Sequence, residues 1–415
     1  MTHAPANNGR AVLRIAIVIG IAQFGFATVL PLLPLHLTEH LGASVKLVGV
    51  VVATFALVET FFKTALGGIT DRMGRRPIIV CGLILSCVAP IIMAVLRSPV
   101  LFVPLRLIDG MGSAALWPAA AAAIADITTP DRRATGMATL NMFFLAGLAA
   151  GPAFGLFVAG FAGNLRAGFY VASALLAVAA IMAAVIFPRD DRHTHAGGTF
   201  VGYHATEPPA RLKDLLSTFR SSELLFTMYL VAFVQMFGIG LLVPIAAIFA
   251  KRVVGLTEHA IGAIFLTVTL TVALATVPAG RLADRSGKPL LVGAGMVLGT
   301  IGMWIIPFSH GLYQLIGAGV LLGGSYALTA PAWLALVSEL APPGRLGLAL
   351  GASETVQGLG LVLGPLLGGF LWDGLGPRAP FIASAVVLTA GTIIALRAIR
   401  HPHPNALLQP LSPRR

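Results

Sequence analysis

Several ionisable side chains lie inside apolar stretches of the chain, where a charge is costly. Glu59, Asp109 and Glu354 are carboxylic acids, and Arg106 precedes Asp109 by three residues. An ionisable group surrounded by hydrocarbon marks a functional site by default. A carboxyl group there can load and release protons near neutral pH, so we predict a proton-exchanging site. A static ion pair between Arg106 and Asp109 is the alternative, as is one between Glu59 and Lys63, four residues on.

The elements that must position these groups are membrane-spanning helices. Hydrophobic residues make up 57% of the 415 residues and charged residues 11%, and the mean hydropathy is +0.89, which is too apolar for a water-soluble domain. Backbone groups in hydrocarbon need internal partners, and such long apolar runs exclude barrel strands. The runs predict twelve helices near residues 12–37, 45–69, 77–96, 99–125, 136–161, 167–187, 224–250, 258–282, 289–308, 312–339, 347–372 and 378–398.

The positive charge of the chain is distributed unevenly between the two sides of these helices. A formal net charge of +12 would suit a nucleic-acid-binding protein. However, about 20 of the 28 lysines and arginines fall on one side, which marks the cytoplasmic face. We therefore expect an integral membrane protein with both termini in the cytoplasm, and a bacterial inner membrane is the commonest setting. Cys81 and Cys87 lie on different helix faces, and no metal or cofactor is expected.

An internal repeat divides the chain. The segment that begins at Gly67 recurs at Gly280, and the same offset of 213 residues relates Gly151 to Gly364 and Pro152 to Pro365. This predicts an all-α membrane protein of two pseudo-symmetric six-helix bundles with the substrate site between them. The bundles are residues 1–187 and 223–400. Between them lies a cytoplasmic linker, 188–222, either amphipathic or simply solvated, and a tail follows at 401–415.

Neutral polar residues complete the candidate cavity. Gln23 and Gln235 lie near paired glycines in the first and seventh spans, and Asn141 is the repeat equivalent of Glu354. We predict that they face the central cavity beside the ionisable groups. Contact between helices is the alternative for both glutamines.

The loop between the second and third spans carries a family resemblance. Its pattern Gly-x-x-x-Asp-Arg-x-Gly-Arg-Arg, repeated between the eighth and ninth spans, resembles the loop signature of the major facilitator superfamily. The resemblance implies a cytoplasmic latch of the outward-facing state, with close helix contact at the first glycine of each copy. A purely topological role for the charges is the alternative. The gating residues would be Gly67, Asp71, Arg72, Gly74, Arg75, Arg76, Gly280, Asp284, Arg285, Gly287 and Lys288, with Asp126 and Glu339 as anionic partners.

Two further motifs support this resemblance. The segment from Arg106 to Gly112 resembles the family's fourth-span motif, whose arginine is implicated in proton transfer, although Asp109 stands where glutamine is usual. A glycine and proline stripe in the fifth span resembles the motif regarded as the hallmark of exporters, where a bend lets two helices rock. Simple helix packing is its alternative. The stripe comprises Gly147, Gly151, Pro152 and Gly155, and its copy comprises Gly360, Gly364, Pro365 and Gly368.

These features predict a secondary active transporter that works by alternating access. The resemblance to the drug:proton antiporter branch favours proton-coupled efflux of a small hydrophobic or cationic compound. The alternative is an uptake symporter, or a lipid or metabolite carrier of the same superfamily. Paired catalytic carboxylates, a zinc-ligand pattern and a nucleophile elbow are not found, so an enzyme is not expected. The expected partners are a small-molecule substrate, protons and membrane lipid, without nucleic acid, and the protein is expected to be a monomer.

Overall fold

A computed structural model describes residues 9–129, 132–187, 223–341 and 346–400. Within these ranges, the side chains of residues 64–72, 223–224, 283–286, 334, 346–347 and 399–400 are not described. The predicted linker and tail lie outside the described residues. We call the side of the molecule that carries Gly9 and Arg400 the inner side, and the opposite side the outer side.

The described residues contain 12 apolar helices long enough to cross a membrane. This confirms the predicted fold class. The helices are α1 (Gly9–Leu35, continued by a π-helical turn, His36–His40), α2 (Val45–Met73), α3 (Arg75–Val95), α4 (Phe102–Ile127), α5 (Arg133–Ala162), α6 (Leu165–Ile186), α7 (Glu223–Leu242, continued after a short break by Ala246–Arg252), α8 (Glu258–Ser286), α9 (Lys288–Ile305), α10 (Leu312–Leu340), α11 (Leu346–Leu375) and α12 (Ala379–Arg400).

Several helix ends differ from the sequence prediction because charge ends an apolar run without ending a helix. Helix α2 continues four residues past its predicted end and stops at Met73. Gly74 alone separates it from α3, with a φ of 91° that favours glycine. Gly287 has the same role between α8 and α9, with a φ of 88°. The backbone of Asp71 therefore lies in the last turn of α2, not in a loop.

The two halves pack in the same pattern. In the N-terminal half, α1 packs against α5 and α6, α2 against α4, and α3 against α4 and α6. The C-terminal half repeats each of these pairs six helices later, as the sequence repeat requires. Contact between the halves is made mainly by α2 with α11 and by α5 with α8. Each of these two pairs is the pseudo-symmetric copy of the other.

The apolar core shows which side of the molecule is closed. On the outer side a single cluster joins both halves and includes Leu32, Val48, Phe249 and Trp372. On the inner side each cluster belongs to one half, as with Ile79 and its neighbours in the N-terminal half and the clusters of the C-terminal half. The halves thus pack against each other at their outer ends and share no apolar cluster of described residues on the inner side. This is the inward-facing arrangement.

Candidate functional site

Arg106 and Asp109 form an ion pair inside the membrane-spanning part of α4. The Nη1 atom of Arg106 lies 2.6 Å from Oδ2 of Asp109, and the two residues are only 5% and 3% exposed. The guanidinium also lies over the ring of Phe55 in α2, 3.9 Å from its centroid. Within the described part of the chain, Oδ1 of Asp109 and Nε of Arg106 have no hydrogen-bond partner. One acceptor and one donor of this buried pair therefore remain without a hydrogen bond to the described residues.

Small residues explain how this pair becomes buried. A spacing of three residues places both side chains on one face of α4. A Cβ atom at Gly110 would lie 3.0 Å from Cβ of Val58, so α2 approaches closely there. On the other flank, a Cβ atom at Gly112 would lie 2.5 Å from Oγ of Ser86 in α3. The glycines that follow Asp109 thus let two neighbouring helices close over it.

Glu59 in α2 is the third member of this charged cluster. Its Oε1 lies 3.9 Å from Nζ of Lys63, and both side chains are about one third exposed. Glu59 is also close enough to act electrostatically on Arg106 and on Asp109. Since this carboxylate is half-exposed and the ion pair is buried, Glu59 lies between the pair and its surroundings. We refer to Glu59, Arg106 and Asp109 as the charge cluster.

Glu354 lies apart from the charge cluster, on α11. Its side chain is exposed. One turn further along α11, a Cβ atom at Gly358 would lie 2.4 Å from Cγ2 of Thr60, the neighbour of Glu59. Glu354 therefore lies on the same face of α11, one turn nearer the inner side than this contact.

Within the described ranges, no hydrogen bond joins the neutral polar residues to the charge cluster. Asn141 is exposed on α5, while Gln23 and Gln235 are half-buried on α1 and α7. A Cβ atom at Gly147 would lie 3.3 Å from Cβ of Gln23, which places Gln23 at the contact of α1 with α5. For Gln23, the structure therefore favours the alternative of contact between helices.

The inner ends of the helices carry two equivalent ion pairs. Nε of Arg75 lies 2.7 Å from Oδ2 of Asp126, and Lys288 pairs with Glu339. The offset of 213 residues relates one pair to the other. Arg76 donates to the backbone carbonyl of Ala184 in α6. Arg75, Arg76 and Lys288 thus contact their own half in this conformation. The anionic partners of Arg75 and Lys288 are the two carboxylates named from the sequence.

The remaining members of the loop motif have no described latch contact. The side chains of Gly67, Asp71, Arg72, Asp284 and Arg285 lie outside the described residues. Among the described residues, a Cβ atom at Gly280 would meet nothing within 4 Å, so the expected close helix contact is not found there in this conformation. The physical reason is the separation of the halves on the inner side, which leaves the inner part of α8 without a close neighbour at that position.

The glycine and proline stripe of α5 packs against α1 of the same half. Cβ atoms at Gly147 and Gly155 would lie 2.3 Å from the carbonyl oxygen of Gly20 and 2.6 Å from that of Thr28. The copy in α11 packs in the same way against α7, where a Cβ atom at Gly368 would lie 2.4 Å from the carbonyl oxygen of Leu241. The stripes therefore hold each half together, as in the alternative of simple helix packing. Rocking of two helices at this bend stays a prediction.

Contact between α5 and α8 uses the opposite face of α5. Thr269 donates its hydroxyl hydrogen bond to the carbonyl oxygen of Ala149. A Cβ atom at Gly262 would lie 3.3 Å from the carbonyl oxygen of Ala153. Nearer the outer end, a Cβ atom at Gly160 would lie 2.5 Å from the ring of His259. Small residues on α8 as well as on α5 therefore permit this inter-half contact.

An ion pair on the outer side joins the two halves and was not predicted. Nε of Arg252 lies 2.5 Å from Oε1 of Glu39, and Nη2 of Arg252 donates to the carbonyl oxygen of Thr38 at 2.7 Å. Glu39 and Arg252 are themselves related by the offset of 213 residues. The pair therefore joins two repeat equivalents, which a search of the repeat for opposite charges could have identified.

A second outer contact links α2 to α11. The backbone N–H of Lys46 donates to Oδ2 of Asp373 at 2.8 Å, so this carboxylate caps the first turn of α2. The Nζ atom of Lys46 lies 4.2 Å from the ring centroid of Phe370. We call Glu39, Arg252, Lys46 and Asp373 the outer latch. Because each of its contacts crosses between the halves, the outer latch holds the outer side closed.

Comparisons with known proteins agree with this architecture. The family model of the Major Facilitator Superfamily matches residues 15–245 and 228–414. The chain is 26% identical over 379 residues to Multidrug resistance protein 2 of Bacillus subtilis, covering 90% of this chain and 91% of that protein. It is 25% identical over 378 residues to the Quinolone resistance protein NorA of Staphylococcus aureus, covering 91% and 93%.

The fold also resembles a solved structure. A bacterial homologue of the human lysosomal transporter Spinster, in its inward-facing and unoccupied conformation, superposes with a TM-score of 0.78. The match has 16% sequence identity and covers 96% of this chain and 98% of the other. The family match spans nearly the whole chain. The chain belongs to the major facilitator superfamily, and it is an integral membrane transporter rather than an enzyme.

Proposed function

We propose that this transporter is a proton-coupled exporter that works by alternating access. Its substrate would be a small hydrophobic or cationic compound, moved out of a bacterial cytoplasm across the inner membrane, with both termini in the cytoplasm. The charge cluster beside the contact of α2 with α11 carries the proposal. The substrate class is supported by the relatives whose names refer to multidrug and quinolone resistance.

The proton step in this proposal takes place at Asp109. When Oδ1 of Asp109 accepts a proton, the carboxylate loses its charge and no longer neutralises Arg106. Arg106 is then drawn towards Glu59, the other carboxylate within its electrostatic reach. Release of the proton from Asp109 restores the original pair. Because Glu59 precedes Thr60, which contacts α11, each change in this pairing acts directly beside the contact between the halves.

The conformational step alternates between the two sides of the molecule. The outer latch is closed here, and the inner cations Arg75 and Lys288 are held within their own halves. In the outward-facing state the outer latch would open and the loop motifs would meet the opposite half. Outer opening and inner closure would thus exchange one set of charged contacts for another, at little net cost.

Flux measured under an imposed pH gradient tests the proposed function. Purified protein is reconstituted in sided vesicles with a fluorescent quinolone or a fluorescent lipophilic cation on the cytoplasmic side of the protein. We expect the compound to move in the direction opposite to the protons. The Asp109→Asn variant should lose this pH-driven movement and still bind the compound. Glu258→Gln, which removes a carboxylate at the outer end of α8, serves as the control. Movement of compound and protons in the same direction would instead show the uptake symporter.

A further inference from the structure

A buried histidine lies directly beside the outer latch. His36, in the π-helical turn that ends α1, is 0% exposed. Neither of its ring nitrogens has a hydrogen-bond partner among the described residues. Its ring stacks on His40 with centroids 5.2 Å apart and meets the ring of Phe169 edge-on at 5.3 Å. Buried polar side chains are nearly always hydrogen-bonded, so an imidazole without a partner requires an explanation.

The internal repeat shows that packing does not require a histidine here. The equivalent position in the C-terminal half is Phe249, by the offset of 213 residues. Phe249 is 1% exposed and packs on Phe381 with ring centroids 4.5 Å apart. A hydrocarbon ring thus fills the equivalent pocket and leaves no polar atom unsatisfied. The basic nitrogen and the N–H group of its ring are what distinguish His36 from its counterpart.

The surroundings of His36 offer its ring no free counter-ion in this conformation. The ionisable groups that act on it are His40, from its own turn, and Arg166, from α6. Helix α4 contributes the uncharged ring of Phe102. Glu39, three residues after His36, is engaged by Arg252. A charged imidazole would therefore be buried near the cation Arg166 with no available acceptor, which is costly for a buried group.

We propose that His36 is a site that binds a proton from the outer side of the membrane. When the outer latch opens, Arg252 releases Glu39, and the turn that carries His36 becomes accessible. One ring nitrogen then takes a proton from outer water, with Glu39 as its counter-ion. When the outer latch closes, Arg252 reclaims Glu39 and the proton returns to outer water. An acidic outer medium therefore favours the open outer side. The inference rests on the proposed proton-coupled exchange, to which it adds a second proton site.

Distance measurements between spin labels on the outer side test this inference. The full chain carries Cys81→Ser and Cys87→Ser, with labels at Val100→Cys and Tyr313→Cys. These two positions are repeat equivalents in opposite halves and are 63% and 87% exposed. The labelled protein is placed in phospholipid nanodiscs, and distances are recorded from pH 8 to pH 5 without substrate. We expect the ratio of long to short distances to rise as the pH falls, by at most about tenfold per pH unit for one proton.

Substitutions decide whether His36 is the responsible group. His36→Phe, chosen because Phe249 fills the equivalent pocket, should remove the pH response. His310→Phe changes an exposed histidine on the same side and should keep it. If His36→Phe does not fold, His36→Gln takes its place, since it is polar but does not titrate. An unchanged response in the His36 variant, or a parent protein whose outer distance ignores pH, would overturn the inference.

The experiment also separates this inference from the proposed function. It needs neither substrate nor flux, so a pH response through His36 can stand even if no compound moves against protons. Conversely, pH-driven flux together with an unchanged distance response in His36→Phe would remove His36 from the mechanism while leaving proton-coupled export in place.

Discussion

At the scale of single residues, the chemistry of this transporter centres on a buried ion pair. Arg106 and Asp109 are held 2.6 Å apart with almost no exposure. Removing one partner of such a pair leaves an uncompensated charge, which typically costs about 3–5 kcal/mol, whereas removing both costs much less. The pair is therefore tied to stability and to proton exchange at once, and mutations must be chosen to separate the two.

Arg106→Ala should destabilise the protein more than the double change Arg106→Ala with Asp109→Asn. We expect a loss of about 3–5 kcal/mol in the free energy of unfolding for the single variant, because a buried carboxylate is left unpaired. The double variant should recover most of this loss. Both should lack pH-driven flux. The single variant has no Arg106 to respond to a proton on Asp109, and the double variant has no titratable group at position 109. Unfolding by denaturant in detergent and flux in vesicles are the two readouts.

Equal stability of the single and double variants would mean that Asp109 has another source of compensation. Normal pH-driven flux in either variant would remove the pair from the coupling mechanism. The control is Lys63→Ala, which breaks the half-exposed pair with Glu59 and should change stability by no more than about 1 kcal/mol.

Sequence spacing predicted part of this site. A separation of three residues on a helix was enough to predict that Arg106 and Asp109 meet. The stacking of Arg106 on Phe55 joins residues from different helices, so no local spacing could show it. His36 was missed because a lone histidine in an apolar run is usually a buried core residue. Only the comparison with Phe249 shows that an apolar ring can fill the equivalent position.

At the scale of helices, glycines serve two distinct kinds of contact. The stripe of α5 packs within one half, while Gly49 in α2 lies between the halves, where a Cβ atom would be 2.2 Å from the carbonyl oxygen of Pro365. A backbone oxygen cannot move aside without its helix. Substitution at these glycines should therefore affect either the stability of one half or the closure of the outer side.

Gly49→Ala should open the outer side. Because the added methyl group would collide with the backbone of α11, we expect the distance between labels at positions 100 and 313 to shift towards longer values. Gly280→Ala is the matched control, since it also replaces a helical glycine but faces open space. It should leave the distance unchanged and gain up to about 1 kcal/mol of helix stability. An unchanged distance in Gly49→Ala would contradict the assignment of this contact to the closed outer side.

Gly147→Ala should instead weaken the N-terminal half. Its methyl group would meet the carbonyl oxygen of Gly20, and overpacking of this kind costs about 1–3 kcal/mol. We expect a lower midpoint of thermal unfolding with no shift in the outer distance. A shifted outer distance at unchanged stability would instead show that the stripe is a contact that moves during transport.

The lengths of the apolar runs predicted the number of helices well. The thickness of the hydrocarbon core sets the length that each spanning helix needs, so each run of that length could be counted as one helix. The apolar runs predicted the helix ends less well. Helix α2 continues through Asp71 to Met73, since charged residues at a membrane surface remain good helix formers. The partner of the α5 stripe could not be predicted either, because small residues permit close contact without specifying which helix approaches.

At the scale of the whole molecule, two equivalent halves meet at an outer core and an outer latch. The sequence repeat predicted the halves and their symmetry, since equivalent residues occupy equivalent places in the fold. It could not predict the conformation, because both states of such a carrier use the same repeat. The contacts of the outer latch could be identified only from the structure, although the repeat already related Glu39 to Arg252.

Exchanging the charges of the outer latch tests its role. Glu39→Arg places two arginines opposite each other and should lengthen the outer distance, as should Arg252→Glu. The double exchange should restore the closed distribution. The pair is about one third exposed. Each single charge reversal should therefore change the ratio of open to closed molecules only a few-fold, and less in high salt. Failure of the double exchange to restore closure, with both single variants open, would mean that the contacts are not made by charge alone.

The central claim is that the halves expose a shared site to each side in turn, and paired distances test it most directly. One label pair lies on the outer side, at Val100 and Tyr313, and a second lies on the inner side, at Met73 in α2 and Leu282 in α8, which are 63% and 47% exposed. Conditions that open the outer side should lengthen the outer distance and shorten the inner one in the same fraction of molecules. Outer and inner distances that lengthen together, or an inner distance that ignores the outer one, would contradict alternating access.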